Sequence, residues 1–134
     1  MGKQLVALAT DEKNIVAWDI DALLSSCKEL PCTLVDTEKI TPKSWLTIDE
    51  AYAITTNVNS TIILFELPYG LLFVADGNHR LYKAATEKIA KMKILIIPEN
   101  IHLSYLYECS PETYRKVIED LRKEEIFIKD FRKA

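Results

Sequence analysis

Two apolar stretches joined by a tight turn constrain the fold of this 134-residue chain more than any other feature of its sequence. Thr61–Leu67 (TIILFEL) is rich in β-branched and aromatic side chains, which favour a strand. Leu67–Gly70 (LPYG) has Pro at the second position and Gly at the fourth, as in a β-turn. Leu71–Ala75 (LLFVA) is again apolar, so the three segments together predict an antiparallel hairpin.

A helix and another strand follow this hairpin directly. Asp76 and Gly77 interrupt the second strand, and a helix is predicted to begin at about Asn78. The apolar residues of that helix recur at helical spacing on one stripe and are Leu81, Ala84, Ala85 and Ile89. Met92–Ile97 (MKILII) then predicts a buried strand, which Pro98 ends.

The segment before the hairpin predicts two helices and a short strand. Asp19 can cap the first helix, and Pro31 stops it. Cys32–Val35 is a short apolar run that predicts a strand. Thr47 and Glu50 have the spacing of a capping box, with Thr at the N-cap and Glu at the third helical position, so a second helix is expected to begin there.

The two ends of the chain complete a single predicted domain. The first twelve residues predict a short strand or an arm, and Ser110 followed by Pro111 begins the last helix. The order of elements predicts an α+β fold, a small mixed β-sheet with flanking helices. We assign residues 1–134 to one domain, with a core at about 15–99 and a C-terminal helical extension at about 100–134.

The few glycines and histidines exclude several common motifs. Gly2, Gly70 and Gly77 cannot form the G-x-G-x-x-G or G-x-x-x-x-G-K-[ST] nucleotide-binding patterns. His79 and His102 cannot form H-E-x-x-H or a His-rich zinc motif. We therefore assign no metal ligands.

Charge and cysteine content predict a cytoplasmic protein with little affinity for DNA. The 17 basic and 20 acidic residues give a net charge of −3, whereas dedicated nucleic-acid binders usually carry a basic surplus. Cys27 and Cys32 have neither C-x-x-C nor zinc spacing, and all three cysteines are expected to be buried or half-buried apolar residues. The sequence has no recognisable secretory leader and no apolar run of membrane-spanning length, so no membrane contact is expected.

The segment Asp76–Arg80 (DGNHR) carries the side chains most suited to chemistry. The start of a helix offers unpaired backbone N–H groups and the positive end of the helix dipole, which attract anions. Arg80 adds a planar set of donors suited to phosphate, and His79 can donate to an oxyanion or move a proton. Gly77 would allow a ligand to approach the backbone, and Asp76 could cap the turn or hold a metal-bound water.

The same residues also fit a purely structural role. Asp-Gly and Asn are common in turns, so Asp76 or Asn78 could simply cap the helix. Arg80 could pair with Glu66 or Glu87 on the surface.

The chain around this segment resembles the ParB/sulfiredoxin-like domain. The resemblance covers about Thr47–Glu99, with weaker support from Trp18–Val35. It rests on the order of the predicted elements. A helix is followed by an apolar strand, a turn, a second strand that ends in a D-G-x-[HR]-R type motif, another helix and another strand. It implies that Gly77, Asn78, His79 and Arg80 bind the phosphates of a nucleotide (ATP, ADP or CTP), and we count Asp76 among the nucleotide-binding residues as well.

Two departures separate the chain from well-known members of that family. Sulfiredoxins place a catalytic Cys immediately before the His-Arg pair, where this chain has Asn78, so sulfinic-acid reduction by that route is not expected. Partitioning ParB proteins add a second arginine-rich motif and a helix-turn-helix domain. This chain has four arginines in all and few residues after Glu99, so a CTP-dependent DNA clamp is not expected either.

Other relatives are ADP-dependent serine kinases and proteins described as nucleases, which leaves the reaction open. The kinases use a carboxylate base, for which Glu50 and Glu66 are the candidates by proximity in the predicted fold. Thr55 and Thr56, at the end of the second helix, are candidates for polar contacts with the nucleotide.

Three functions remain open from the sequence. The first is nucleotide binding, used for phosphoryl transfer or hydrolysis with His79 and Arg80 holding phosphate and Mg²⁺ assisting. The second is a nuclease of the same fold that acts on DNA. The third is a non-catalytic regulatory or protein-interaction module. The expected partners are a nucleotide and another protein, a second copy of the chain being one candidate.

Overall fold

A central mixed sheet and a separate two-stranded ribbon make up the β structure of the computed structural model, which describes residues 4–133. The strands, in chain order, are β1 (Leu5–Ala9), β2 (Ile15–Asp19), β3 (Thr33–Asp36), β4 (Ile62–Leu67), β5 (Leu71–Asp76), β6 (Lys91–Ile97) and β7 (Ile128–Lys129). β1 pairs with β2, and the other five strands form one sheet in the order β3-β6-β4-β5-β7. In that sheet β4 and β6 are parallel, and the other neighbours are antiparallel.

Helices flank this sheet. Those within residues 4–133 are α1 (Ile20–Ser26), α2 (Glu50–Thr55), α3 (Asn78–Thr86), α4 (Glu99–His102) and α5 (Pro111–Leu121). The predicted fold class, an α+β domain with a small mixed sheet and flanking helices, is confirmed. None of the helices in this range has the length and apolar character that a bilayer span requires.

The predicted hairpin is confirmed, and it lies inside the sheet. β4 and β5 are antiparallel, with Ile63 opposite Asp76. The turn Pro68–Gly70 is a short 3₁₀ segment in which Tyr69 has a φ of 66° and Gly70 a φ of 67°. Asp76 and the motif that follows it therefore lie at the end of the hairpin remote from its turn.

β4 is buried on both faces because apolar layers cover the sheet on each side. On one face Ile63, Phe65 and Leu67 belong to a cluster that also contains Trp18 and Tyr114. The second cluster joins the alternate residues of β4 to residues of α3 and β6, among them Ile62, Leu64, Leu81, Ala84 and Met92. Since burying one large apolar side chain contributes about 1.5–3 kcal/mol, the second layer fixes α3 against the sheet.

The strand β2 is an element that the sequence reading missed. It pairs with β1, with Val6 opposite Trp18, and it runs directly into α1. Asp11 forms the turn between the two strands, since its side chain accepts hydrogen bonds from the backbone N–H groups of Lys13 and Asn14. Asp19 both ends β2 and caps α1, so no turn residues mark the boundary between strand and helix.

The predicted capping box at Thr47 is wrong. α2 begins at Glu50, and the side chain of Asp49 caps it by accepting from the backbone N–H of Tyr52 at 3.1 Å. Asp is a stronger N-cap residue than Thr. The backbone N–H of Asp49 also donates to His79, and both effects favour a helix start at this position.

The C-terminal part of the chain contributes to the sheet as well as to the helices. The segment 100–134, predicted as a helical extension, contains α5 and also β7, which pairs with β5 through Leu71 opposite Lys129. Ser110 caps α5 as predicted. The prediction that every cysteine is at least half-buried is wrong for Cys32, which is exposed beside β3.

Candidate functional site

The junction between β5 and α3 depends on Gly77. This residue occupies the N-cap position of α3 with a φ of 105° and a ψ of 18°, in the left-handed region. A Cβ atom at this position would lie 2.7 Å from Cδ1 of Ile62 and 3.0 Å from Nη2 of Arg80. Backbone conformation and internal packing thus already require glycine here, whether or not a ligand approaches.

The first turn of α3 is not capped by a side chain. The expectation that Asp76 or Asn78 caps this helix is wrong, because Nδ2 of Asn78 donates instead to the carbonyl oxygen of Val74 at 3.3 Å. The backbone N–H of Leu81 donates to Gly77 and closes the first turn. Within residues 4–133, the N–H groups of residues 78–80 have no acceptor, which leaves three donors at the positive end of the helix.

Arg80 points back towards the start of β4 rather than into solvent. Its Nη2 donates to the carbonyl oxygen of Thr61 at 2.9 Å and lies 3.5 Å from Oδ2 of Asp76, and its side chain is 23% exposed. The ion-pair partner is therefore Asp76, and the expected pairing with Glu66 or Glu87 is wrong. Nε of Arg80 is buried without an acceptor in the described part of the chain, and Nη1 makes no bond to those residues.

His79 connects the first turns of α3 and α2. Its Nε2 accepts a hydrogen bond from the backbone N–H of Asp49 at 3.1 Å. The ring also packs edge-on against Tyr52, with centroids 4.9 Å apart. Because Nε2 acts as an acceptor, the neutral ring carries its proton on Nδ1, which can donate to an anion.

The structure brings one of the two predicted carboxylate bases close to this motif. Glu50 is the first residue of α2, next to the Asp49 that His79 contacts, and its Oε1 accepts from the hydroxyl of Tyr82 at 3.0 Å. This hydrogen bond raises the pKa of Tyr82 above its ordinary value. Glu50 thus lies beside the face of α3 that carries His79 and Tyr82.

Glu66, the other candidate base, lies elsewhere. It is opposite Leu72 near the turn of the hairpin, whereas Asp76 is opposite Ile63 at the other end. Its carboxylate accepts from Nη2 of Arg132 at 2.6 Å. The prediction that Glu66 lies close to the motif is therefore wrong.

The hydroxyl groups of Thr55 and Thr56 are occupied by their own helix. Oγ1 of Thr55 donates to the carbonyl of Tyr52 and Oγ1 of Thr56 to that of Ala53, at 2.6 and 2.7 Å. Both lie at the C-terminal end of α2, whereas His79 contacts its N-terminal end. Lys83 of α3 contacts this end of α2, where its ammonium donates to the backbone carbonyls of Thr56 and Ile54.

Two of the contacts around the motif involve groups that sequence reasoning missed. The carbonyl of Thr61 and the N–H of Asp49 are backbone groups, which every residue has, so the residue types in the sequence do not identify them. The one available signal was Asp49, since an Asp before Glu-Ala-Tyr is itself a strong N-cap pattern.

His102, to which the sequence reading gave no role, is fully buried in the core. Its Nδ1 accepts from Nε1 of Trp18 at 3.2 Å, and its Nε2 lies 2.8 Å from the carbonyl oxygen of Glu66. The neutral ring with its proton on Nε2 satisfies both partners, and it stacks on Phe65. Burial lowers the pKa of His102. Because both ring nitrogens are bonded inside the core, this histidine has a structural role.

The described residues offer no metal-binding cluster, and one groove of the surface lies away from the motif. The described residues contain no cluster of three or more His, Cys, Asp or Glu side chains that could hold a metal ion. A groove of about 710 Å³ lies at the other end of α3, where Thr37, Lys88 and Ile89 are among its walls. Asp76–Arg80 are all partly exposed, and the guanidinium of Arg80 is turned inward to the carbonyl oxygen of Thr61.

Comparisons with known proteins add no relative. A scan against protein-family models, a search of curated proteins and a search of solved structures each found no match to this chain.

Proposed function

We propose that this protein is a ParB/sulfiredoxin-like domain that binds the phosphates of a nucleotide at the N-terminal end of α3. The observation that carries the proposal is the uncapped first turn of this nine-residue helix, in which three N–H groups have no acceptor among residues 4–133. Helix starts of this kind bind anions because the exposed amides and the helix dipole act in the same direction.

The side chains around that turn complement a phosphate. Nδ1 of His79 and Nη1 of Arg80 are donors without partners in the described structure, and both belong to the first turn. The buried, unpaired Nε of Arg80 is a third donor that a small shift of the side chain would expose to an anion. ATP, ADP and CTP all present the phosphate oxygens that such donors recognise.

A magnesium ion fits this site only as part of the bound nucleotide. Mg²⁺ in nucleotide sites is commonly held by phosphate oxygens together with one or two carboxylates. Asp76 supplies one carboxylate within the motif, and its Oδ2 is 3.5 Å from Arg80. The ion would neutralise part of the charge on the phosphates.

Phosphoryl transfer or hydrolysis at this site would use Glu50 as the base. Its position at the start of α2, next to the residue that His79 contacts, supports this role. Glu50 would have to leave its hydrogen bond with Tyr82, which is exposed and therefore weak.

A second candidate, a non-catalytic module for regulation or protein interaction, is favoured by a specific observation. The side chains of Asn78, His79 and Arg80 each bond to this chain's own backbone, at Val74, Asp49 and Thr61. In this second candidate, the contacts of these three residues hold α3 to β5, to the start of α2 and to the start of β4, and no ligand is bound.

The test is a thermal-shift screen of ATP, ADP and CTP with and without Mg²⁺, followed by calorimetric titration of the best ligand. Arg80→Lys keeps the charge and loses the planar donors, so affinity should fall by about one to two decades. Arg115→Lys, an exposed arginine of α5, is the matched control and should bind like wild type. Failure of all three nucleotides to bind would reject the proposal and leave the interaction module.

A further inference from the structure

A second groove, of about 420 Å³, lies where three separate parts of the chain meet. They are residues 39–43, the β4–β5 turn with Tyr69 and Leu71, and residues 122–129 after α5. Two backbone hydrogen bonds join these parts: Ser44 donates to Glu125 at 3.1 Å, and Asp130 donates to Gly70 at 2.8 Å. The walls are thus fixed by the main chain, and none of them belongs to the Asp76–Arg80 motif.

We call this the basic groove, because the side chains that line it carry a net positive charge whereas the protein as a whole is negative. Its charged residues are the cations Lys39, Lys43, Arg122 and Lys129 and the acids Glu124 and Glu125. They give a local charge of +2 on a chain whose net charge is −3. A cationic groove on an acidic protein selects an anionic partner.

The cations are available to such a partner. Lys39 lies 3.8 Å from Asp36, Lys43 lies 3.9 Å from Glu125 and Nε of Arg122 lies 3.3 Å from Glu119, and all six side chains are more than one-third exposed. Exposed pairs at these distances are weak, so carboxylates from a partner can replace them. Lys129 forms no ion pair with any residue in the described range.

An exposed aromatic ring with two side-chain partners lies at one end of the groove. Tyr69 has a left-handed backbone and is 59% exposed. The guanidinium of Arg122 lies 4.5 Å from its ring centroid, and its hydroxyl donates to the carboxylate of Glu119. An exposed tyrosine offers a large contact area and, with two side-chain torsions, loses little entropy when a partner binds.

We infer that the basic groove binds an extended acidic segment of a protein partner. β7 is the last strand on this side of the sheet and forms one wall, so an extended segment can lie beside it. Leu71 and Phe127 add apolar surface between the cations, which suits a peptide that alternates acidic and apolar side chains. A nucleic acid carries a phosphate at every nucleotide and cannot avoid Glu124 and Glu125, whereas a peptide with alternating side chains can place apolar residues beside them.

The probe is a fluorescein-labelled ten-residue peptide of alternating Glu and Val, measured by fluorescence anisotropy. Its comparison peptide has Gln in place of every Glu, and a ten-nucleotide single-stranded DNA is the third ligand. The acidic peptide should bind at least about tenfold more tightly than the Gln peptide and more tightly than the DNA. Changing Lys39, Lys43 and Lys129 together to Gln should weaken its binding by about tenfold.

A control with the same change in charge separates the groove from general attraction. Lys13→Gln, Lys28→Gln and Lys116→Gln together alter exposed lysines outside the groove and should change affinity less than about twofold. Equal losses in the two triple variants, no preference for the acidic peptide, or tighter binding of the DNA would each overturn the inference. Nucleotide affinity should be the same in wild type and the groove variant, so this test is independent of the proposed function.

Discussion

Gly77 and Gly70 form a matched pair for testing what the junction before α3 requires. Both have positive φ, but a Cβ at Gly70 has no atom within 4 Å, whereas a Cβ at Gly77 would lie 2.7 Å from Ile62. Gly70→Ala should therefore lower the free energy of unfolding by about 1 kcal/mol, from backbone strain alone. Gly77→Ala adds a steric clash and should lower it by about 2–4 kcal/mol in urea denaturation. Equal losses of unfolding free energy in the two variants would contradict a steric clash of the added Cβ at Gly77.

His102 predicts how stability changes with pH. Burial lowers its pKa below the ordinary value of 6.5, so below that pH the unfolded chain binds a proton that the folded chain does not. The stability contributed by the neutral ring is present above pH 6.5 and is lost as the pH falls towards the folded pKa. Between pH 6.5 and 5.5 wild type should lose up to about 1 kcal/mol more than His102→Gln.

Urea denaturation of both proteins at pH 6.5 and 5.5 measures this difference. His79 and the carboxylates are present in both proteins, so their contributions cancel in the comparison. If wild type and His102→Gln lose the same unfolding free energy between the two pH values, His102 is not held neutral by its surroundings.

Among the elements, α2 depends on α3. It has six residues, too few for a stable isolated helix, and Lys83 of α3 donates to the carbonyls of Ile54 and Thr56 at 2.9 Å each. Lys83→Met should remove these bonds, speed amide exchange at residues 53–56 and lower stability by about 1–2 kcal/mol. Lys116→Met on α5 is the control, and hydrogen exchange equal to wild type in both variants would contradict this dependence.

Local signals predict some of these elements well and others poorly. The β4–β5 hairpin and the start of α3 follow from apolar runs, Pro68 and Gly77, because each depends on residues adjacent in sequence. The pairing of β1 with β2 and the addition of β7 to β5 join distant segments, and β7 has only two residues. Such pairings depend on tertiary packing, which cannot be predicted from the pattern of residues within one segment.

The candidate site divides in the same way. The residues of the motif, Asp76–Arg80, could be found from residue type and position at a helix start. The direction of Arg80 could not, since its partner is the backbone carbonyl of Thr61, nineteen positions earlier. Glu66 was misplaced because its position along β4 depends on the register with β5, in which it lies opposite Leu72.

For the molecule as a whole, the C-terminal segment stabilises the sheet through Arg132. Its guanidinium bonds to Glu66 on β4 and to both carboxylate oxygens of Asp130, whose side chain is 1% exposed. Arg132→Gln removes a charged partner from the buried Asp130 carboxylate and should lower the free energy of unfolding by about 1.5–3 kcal/mol. Arg115→Gln, at an exposed position, should change it by less than about 0.5 kcal/mol, and similar losses would contradict this role.

The central claim, that phosphate binds at the start of α3, is tested most directly by titrating ATP with Mg²⁺ into ¹⁵N-labelled protein and following the backbone amides by NMR. We predict that the largest shifts occur at Asn78, His79 and Arg80, whose N–H groups would donate to phosphate oxygens. Shifts confined to the basic groove, or none at residues 77–81 while other amides move, would contradict the claim.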